Sequence, residues 1–536
     1  MRPRTMAHLL VASAACAGCA GLIGDGGDSE GPGTDSQALC SEAAPDAGAT
    51  PLRRLTRDEY DNTVRDLMGI DASFATSFVP DEIVAGFAAN SVTSPSKLQL
   101  EDYLYTSETI VEQALAAHQS EWLSCDIAQT SCVQPFLAEL GKRAFRRPLT
   151  AELEQSLVSL YEQGRANWGA QKGLELALVA ILNSPHFLYH VELTLPAAGE
   201  AVAALDGYEM AARLSYFLWH TMPDSELLAA AESGALGTPE GIAEQARRML
   251  AGEHAAEALD VFHAQWLELD VLDELVKDPD LFPEYSEQLA HSMREETLAF
   301  TRDIVQSGGS AEMLLTATHS FVDSSLADLY GIDAPPTEFG RVELDSATRA
   351  GLLTQAAFLA TRSHAAETSW VLRGKFVREK LLCETLPPPP PNVDQKQAND
   401  PNRLEDPQCG SCHQMMDPIG YGFDRYDAIG RYNEKDADGN PIAHSGEVVG
   451  NATIGTFEGA VELAKELATV DQVKECLVTQ WFRFATRRAE ATEDSCSIAD
   501  AYGDFAASGF DFRELLVAIA TSDAFRYRRV ALTEGN

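Results

Sequence analysis

The C-terminal half of the chain contains the run Cys409-Gly410-Ser411-Cys412-His413, in which a histidine directly follows the second of two closely spaced cysteines. With ten cysteines and twelve histidines in 536 residues, chance alone would produce such a run roughly 0.004 times per chain. The spacing is that of a c-type haem attachment site, in which two thiols bond to the porphyrin and the histidine binds iron. The alternatives are a thiol redox pair or half of a zinc site. A zinc site usually needs a second Cys/His pair close by, and none is evident in the sequence, so haem is the favoured interpretation. The sequence therefore predicts one haem c held by Cys409, Cys412 and His413.

The residue on the opposite face of the iron is left open by the sequence. No methionine follows Met416, and Met415 and Met416 lie too close to His413 to reach the other face. The sixth position is therefore predicted to be vacant, or filled by an upstream Met or by a histidine, with His364 the first candidate and His444 the second. A backbone carbonyl near Pro418 is expected to accept the Nδ1 proton of His413. Four basic residues are candidates to neutralise the haem propionates: Arg373, Lys375, Arg487 and Arg488.

The first nineteen residues have the pattern of an export signal. Arg2 and Arg4 precede a short apolar run that ends in Ala-Cys16-Ala-Gly-Cys19. The run is too short to cross a membrane, and small residues before a cysteine resemble a bacterial lipoprotein signal. We expect Cys19 to be acylated, with Cys16 as the alternative residue and a cleaved secretory signal as the alternative interpretation. The predicted location is the cell envelope, facing the periplasm or the cell surface, with a lipid anchor as the contact with the membrane.

Charge and cysteine content agree with an exported protein that does not bind nucleic acid. The formal net charge is −42, whereas binding to phosphates requires a basic surface. The remaining cysteines fit disulfides formed in an oxidising compartment. Cys125 and Cys132 can close a small loop, and Cys476 can reach Cys496 if the intervening helix ends near residue 488. Cys40 and Cys383 would then form a third pair, although spacing alone does not fix the connectivity.

Helical patterns dominate the chain, and the predicted fold class is mainly α, with several helical modules. Thr56 and Glu59 form a capping box ahead of an amphipathic helix, and similar periodicity recurs down to the C-terminus. Residues 20–49 are rich in Gly, Ser and Asp and are expected to be a flexible linker. Five consecutive prolines, Pro387 to Pro391, predict an extended strut before the haem segment.

Several longer motifs resemble a known family. They are Thr56-Arg57-Asp58-Glu59-Tyr60, Arg143-Ala144-Phe145-Arg146-Arg147-Pro148, Leu214-Ser215-Tyr216-Phe217-Leu218-Trp219, Arg373-Gly374-Lys375-Phe376 and Asp417-Pro418-Ile419-Gly420. In this order they resemble the bacterial exported cytochrome-c-like proteins built from domains of unknown function 1587, 1595, 1592, 1588 and 1585. The resemblance implies modules at residues 50–120, 130–197, 203–333, 345–450 (haem-bearing) and 455–530. One departure is Trp370, which stands where the family usually has proline.

Three classes of function remain compatible with these features. The first is electron transfer with a redox partner protein or another envelope component, carried out by a single-haem cytochrome-like protein. The second is an envelope enzyme, either a haem-dependent oxidase or peroxidase or a hydrolase, and the third is a binding module with a structural haem. Common hydrolase and phosphate-binding motifs are missing from the sequence, which leaves catalytic activity open. His186 and His190 have metal-pair spacing but no third ligand, so ordinary structural roles are favoured.

Overall fold

The computed structural model describes residue 40, residues 45–387, residue 404 and residues 409–529. This part of the chain is mainly helical, as the sequence predicted. The helices are α1 (Arg57–Met68), α2 (Lys97–Trp122), α3 (Thr130–Phe145), α4 (Ala151–Trp168), α5 (Ala170–Leu182), α6 (Pro185–Leu188), α7 (Gly207–Leu218), α8 (Ser225–Ser233), α9 (Pro239–Leu250), α10 (Ala255–Trp266), α11 (Val271–Glu274), α12 (Glu287–Gln306), α13 (Ala311–Thr316), α14 (Ser324–Tyr330), α15 (Ala356–Thr361), α16 (Trp370–Phe376), α17 (Gly410–Tyr421), α18 (Gly459–Thr469), α19 (Asp471–Thr486), α20 (Ser495–Ala507), α21 (Phe512–Thr521) and α22 (Asp523–Arg526). Among the described residues, no helix combines the length and apolar character needed to cross a membrane.

Short strands connect some of these helices in antiparallel pairs. The strands are β1 (Ile83–Val84), β2 (Phe87–Ala88), β3 (Val202–Ala204), β4 (His319–Val322), β5 (Gly340–Glu343), β6 (Ser445–Glu447), β7 (Thr456–Glu458) and β8 (Tyr527–Arg529). Three of the pairs are β1 with β2, β4 with β5, and β6 with β7. The fourth, β3 with β8, joins residues more than three hundred positions apart, with Ala203 opposite Arg528. This pair fastens the C-terminal end of the described chain to its middle.

Two hydrophobic cores hold the helices together. The first core lies among helices α1 to α6 and also takes in Tyr216 and Met222 from the region of α7. The second runs from Leu205 to Phe525 and includes one residue from far upstream, Phe87. The helical periodicity seen in the sequence thus packs into two shared cores, because a helix of about a dozen residues cannot bury its apolar face alone.

Residues 45–49, which the sequence predicted to be part of the flexible linker, pack against the C-terminal helices. The Gly48 amide donates to Asp494 Oδ1 at 2.9 Å, and Ala47 is completely buried. Ala49 forms a parallel bridge with Arg529. Ordered structure therefore begins before the first predicted module. The sequence did not predict this, because a composition rich in Gly, Ser and Asp does not reveal specific long-range contacts. The signal segment, Cys19, most of the linker and Pro388 to Pro391 lie outside the described residues.

Three disulfides form among the described residues, and two of the predicted pairings, Cys476–Cys496 and Cys40–Cys383, are wrong. Cys125 pairs with Cys132 as predicted. The pairing of Cys476 with Cys496 does not form. Instead, Cys383 pairs with Cys476, and Cys40 pairs with Cys496. The prediction considered only whether the chain was long enough to bring Cys496 back to Cys476. Helix α19 instead turns Cys476 toward residues 380–383, and the Cys476 sulfur also lies 3.4 Å from the Lys380 carbonyl oxygen.

Candidate functional site

The Cys-x-x-Cys-His run opens helix α17 and places its three reactive side chains on one face. Cys409 occupies the N-cap position, and the His413 amide donates to the Cys409 carbonyl at 3.1 Å. Residues three and four positions apart are neighbours on a helix, so Cys412 and His413 both lie beside Cys409. The three side chains are partly exposed. Both sulfurs and the imidazole are thus presented together at an accessible helix start.

The His413 ring is held by an acid one turn further along the helix. Its Nδ1 lies 3.1 Å from Asp417 Oδ1, and Asp417 is fully buried. The partner predicted from the sequence was a backbone carbonyl, so that prediction is wrong: a carboxylate occupies the position. The i, i+4 spacing of His413 and Asp417 was the signal that would have revealed it. When His413 Nδ1–H donates to the Asp417 carboxylate, the Nε2 atom keeps its lone pair for a metal.

Helix α16 supports α17 through direct contact between the two backbones. A Cβ atom on Gly374 would lie 2.0 Å from the Met416 carbonyl oxygen, and one on Gly420 would lie 2.3 Å from Trp370 Cα. Only glycine permits such an approach, since any side chain would push the helices apart. The Arg-Gly motif therefore positions helix α17.

Arg373 lies in the interior of this region and closes the C-terminal end of α17. Its guanidinium donates to the carbonyl oxygens of Phe423 at 2.9 Å, Tyr426 at 3.0 Å and Asp427 at 3.0 Å. Burial lowers the pKa of Arg373 to about 10. Since the side chain is fully buried and bound to carbonyls, the prediction that it neutralises haem propionates is wrong.

Trp370, the departure from the family pattern, starts α16 without disturbing it. The Ser369 hydroxyl caps the helix by accepting from the Leu372 amide at 3.3 Å. Proline is favoured at the first helical position because its fixed φ already suits a helix. Here the Ser369 cap is sufficient to start the helix without a proline. The Trp370 indole also donates to Asp424 Oδ1 at 2.5 Å. The substitution thus adds a contact between the segments on either side of the haem motif.

The two histidine candidates for the sixth position lie toward the far end of α17. Next to His364, the Ser363 hydroxyl lies 3.0 Å from Arg373, which in turn contacts Phe423. Phe423 follows the end of α17 at Tyr421, which is eight positions and about 12 Å along the helix axis beyond His413. Arg425 is among the charged neighbours of His444, whose pKa is lowered by burial and by that arginine. The contacts among described residues do not bring either histidine to His413, and the sixth ligand stays a prediction.

Arg487 and Arg488 belong to a different part of the molecule, so the propionate prediction is wrong for them as well. Arg488 binds Asp494, with its Nη2 at 2.7 Å from Oδ1. Arg487 lies 3.8 Å from Glu59 in α1. His190 also contacts Glu59, at 3.2 Å, and α6 ends before it at Leu188, so the helical pairing with His186 does not form. In the described part of the chain, no cluster of three or more His, Cys, Asp or Glu residues is arranged to hold a metal ion.

Five family models match the chain in succession, and each is described as a protein of unknown function. They are DUF1587 over residues 53–116, DUF1595 over 132–192, DUF1592 over 205–332, DUF1588 over 349–436 and DUF1585 over 455–525. The model that covers the Cys409–His413 run carries the label PSCyt3, and the other four carry PSD labels. No curated protein and no solved structure matches the chain.

The fold and the matched models define a class of mainly helical, multi-module proteins in which one module begins a helix with Cys-x-x-Cys-His. Within this class, the chain belongs to the family built from domains of unknown function 1587, 1595, 1592, 1588 and 1585, in the order expected from its motifs.

Proposed function

We propose that the protein is an exported, single-haem c-type cytochrome that transfers electrons in the cell envelope. The observation that carries this proposal is the His413–Asp417 pair at the start of α17, beside Cys409 and Cys412. Two thiols and a carboxylate-held imidazole on one helix face fit covalent haem attachment with His413 Nε2 as the proximal ligand. A bound haem supplies reversible one-electron exchange.

The surroundings of α17 support electron transfer by keeping its ligand in place. Glycine contacts hold α17 against α16, and the buried Arg373 fixes its C-terminal end. Asp417 fixes the ring orientation and strengthens imidazole donation to a metal. A ligand frame that moves little between oxidation states lowers the barrier to electron exchange.

The proposed location and partners follow from the signal pattern, the disulfides and the charge. Three disulfides fit an oxidising compartment outside the cytoplasm. With a net charge of −42, a redox partner protein or another envelope component with a basic docking surface is favoured over nucleic acid. The proposed membrane contact is a lipid on Cys19.

Covalent haem can be tested in a host that matures c-type cytochromes. After denaturing electrophoresis, the wild-type band should stain for haem, whereas Cys409→Ala and Cys412→Ala bands should lose the stain. A Cys125→Ala/Cys132→Ala variant is the matched control, because it also removes two thiols but leaves the motif intact. A colourless protein that carries stoichiometric zinc would refute the haem proposal.

A reduced spectrum with and without carbon monoxide then separates electron transfer from haem catalysis. Sharp bands that the gas does not change indicate two tightly bound axial ligands and support electron transfer. A shifted Soret band would reveal a vacant or labile site and favour a haem enzyme. The anchor is tested separately: Cys19→Ser should abolish palmitate labelling, whereas Cys16→Ser should retain it.

A further inference from the structure

A second polar site, built from residues outside α16 and α17, surrounds a buried carboxylate in α1. Glu59 has no exposed surface, and both of its oxygens accept from Arg53 Nη1, at 3.0 Å and 2.8 Å. His190 Nε2 lies 3.2 Å from Oε2. Burial alone would raise the pKa of Glu59, but Arg53 and His190 outweigh it and hold the pKa well below its ordinary value. Glu59 is therefore a fixed negative charge inside the protein.

The three residues Arg146, His220 and Arg487 reach this region from left-handed backbone positions. Their φ angles are 60°, 58° and 54°, and all three are buried. Non-glycine residues in this conformation cost about 1 kcal/mol or more each. Glycine would relieve the strain but would remove the side chains. The chain thus retains two cations and an imidazole here at the expense of stability.

A small cavity opens beside Glu59, and its polar lining is dominated by arginine. Arg53, Arg213 and Arg487 line it, together with His190 and Glu192. Its volume is about 40 Å³, enough for about three waters or one small polyatomic ion, since a single water needs about 10–15 Å³ on this scale. Burial, together with the positive charge of Arg53, lowers the pKa of His190 to about 3 and keeps the ring neutral.

The charges around the cavity do not balance. Arg213 is matched by Glu192, with Nη2 at 2.8 Å from Oε2, and Arg53 is matched by Glu59. Arg487 is the third guanidinium against these two carboxylates. Arg487 lies 3.8 Å from Glu59, so it shares that carboxylate with Arg53. Because two buried guanidinium groups share one carboxylate, one further negative charge in the cavity would be stabilising.

Several guanidinium N–H groups around the cavity lack a short hydrogen bond to any residue that the structure describes and are available to bind an anion. Arg487 makes only long bonds, to the Ala88 carbonyl at 3.4 Å and to His220 Nδ1 at 3.3 Å. Its pKa is lowered to about 10, first by burial. Within the described chain, the side-chain bonds of Arg53 run from Nη1 alone, so its Nε and Nη2 remain for a ligand. His220 Nε2 is buried without a hydrogen-bond partner among the described residues, but His220 does not line the cavity and is not counted among its donors.

We propose that this cavity binds the carboxylate of a small organic acid, with Arg53 and Arg487 as the recognising cations. Two guanidinium groups suit a planar carboxylate, because each can donate parallel N–H groups to its oxygens. Glu59 holds Arg53 and the His190 ring in position and is a positioning residue rather than a ligand. The site draws on the first, second, third and last modules of the chain and does not depend on haem.

Calorimetric titration of the purified full chain with formate in chloride-free buffer tests the proposal. Formate should bind, and the neutral isostere formamide should not. Arg487→Gln should weaken formate binding about tenfold or more, because one charge-assisted contact is lost. Arg247→Gln is the matched control, since it also removes one guanidinium but that group pairs with Glu514 and does not line this cavity; it should leave formate affinity unchanged.

The wild-type protein alone keeps the proposal falsifiable if a variant fails to fold. Absence of formate binding would overturn it, as would equal binding of formate and formamide. Displacement of formate by chloride with equal affinity would overturn the carboxylate assignment, because a halide cannot use the planar geometry. A formate affinity that Arg487→Gln does not change would overturn the assignment to this cavity.

Discussion

His413 Nδ1 and Asp417 Oδ1 lie 3.1 Å apart, across one turn of α17. The acid is fully buried, whereas the imidazole is partly exposed. A buried acceptor therefore fixes a ring whose other nitrogen remains available. This relationship gives the His413 ring a defined orientation.

If the protein carries haem as proposed, replacing Asp417 with Asn should leave the attachment intact and raise the reduction potential. The amide is a weaker acceptor than a carboxylate, so the imidazole donates less to iron, and a rise on the order of tens of millivolts is expected. Potentiometric titration measures it. Asp424→Asn is the matched control, because Asp424 contacts Trp370 rather than His413. Equal potentials in wild type and Asp417→Asn would contradict the proposed role.

Gly374→Ala should destabilise the packing of α16 on α17. The new Cβ would lie 2.0 Å from the Met416 carbonyl oxygen, and overpacking of this kind costs about 1–3 kcal/mol or more. Urea unfolding measures the loss. Gly237 has nothing within 4 Å of a Cβ position, so Gly237→Ala should change the free energy of unfolding by no more than about 0.5 kcal/mol.

Arg373→Met should destabilise the haem module strongly. The change leaves the carbonyls of Phe423, Tyr426 and Asp427 without their shared donor, at a cost of about 3–5 kcal/mol. Lys375→Met, in the same helix, is the control, because the Lys375 side chain is 49% exposed. Its effect on the urea midpoint should be small. If the two variants lost similar amounts of unfolding free energy, the buried hydrogen bonds of Arg373 would not be a main source of stability.

The two disulfides Cys383–Cys476 and Cys125–Cys132 should differ in their contribution to stability. Their partners are 93 and 7 residues apart, and loop-closure entropy predicts losses of about 4–5 and about 2 kcal/mol on removal. Paired Cys→Ala variants compared by urea unfolding provide the measurement. A larger loss from the short loop would show that chain entropy is not the dominant effect.

Glu296 should make stability fall as the pH rises. Burial raises its pKa from 4.5 to about 7, although Tyr330 and Ser320 partly oppose this. The folded chain therefore holds this proton more tightly than the unfolded chain does. The stabilisation is complete below pH 4.5 and is lost as the pH rises through 7, a change of about 3 kcal/mol.

Glu296→Gln isolates this effect, because glutamine resembles the protonated acid and does not titrate. The difference in unfolding free energy between variant and wild type should grow in favour of the variant from about pH 4.5 to pH 7. Other acids with raised pKa values, such as Asp61 and Asp424, titrate in both proteins and cancel. A difference that stays constant with pH would contradict the prediction.

Short-range features were predictable from the sequence because they depend on residues within one or two turns. The Thr56–Glu59 capping box forms as predicted, and so does the Cys125–Cys132 disulfide. The Cys409–His413 run falls at a helix start with its reactive groups together. His413 and Asp417 obey the same local rule, so their contact was predictable in principle.

Contacts between distant segments were decided by the tertiary structure alone. Arg487 was grouped with the haem motif, yet it lies beside Glu59, more than four hundred positions away in the chain. Cys476 could reach Cys496, yet it pairs with Cys383. The periodicity of a helix fixes which of its faces is apolar, but not which neighbour that face meets. That choice depends on how the helices pack into the two cores and how their buried charges are matched, and the linear sequence does not display these relations.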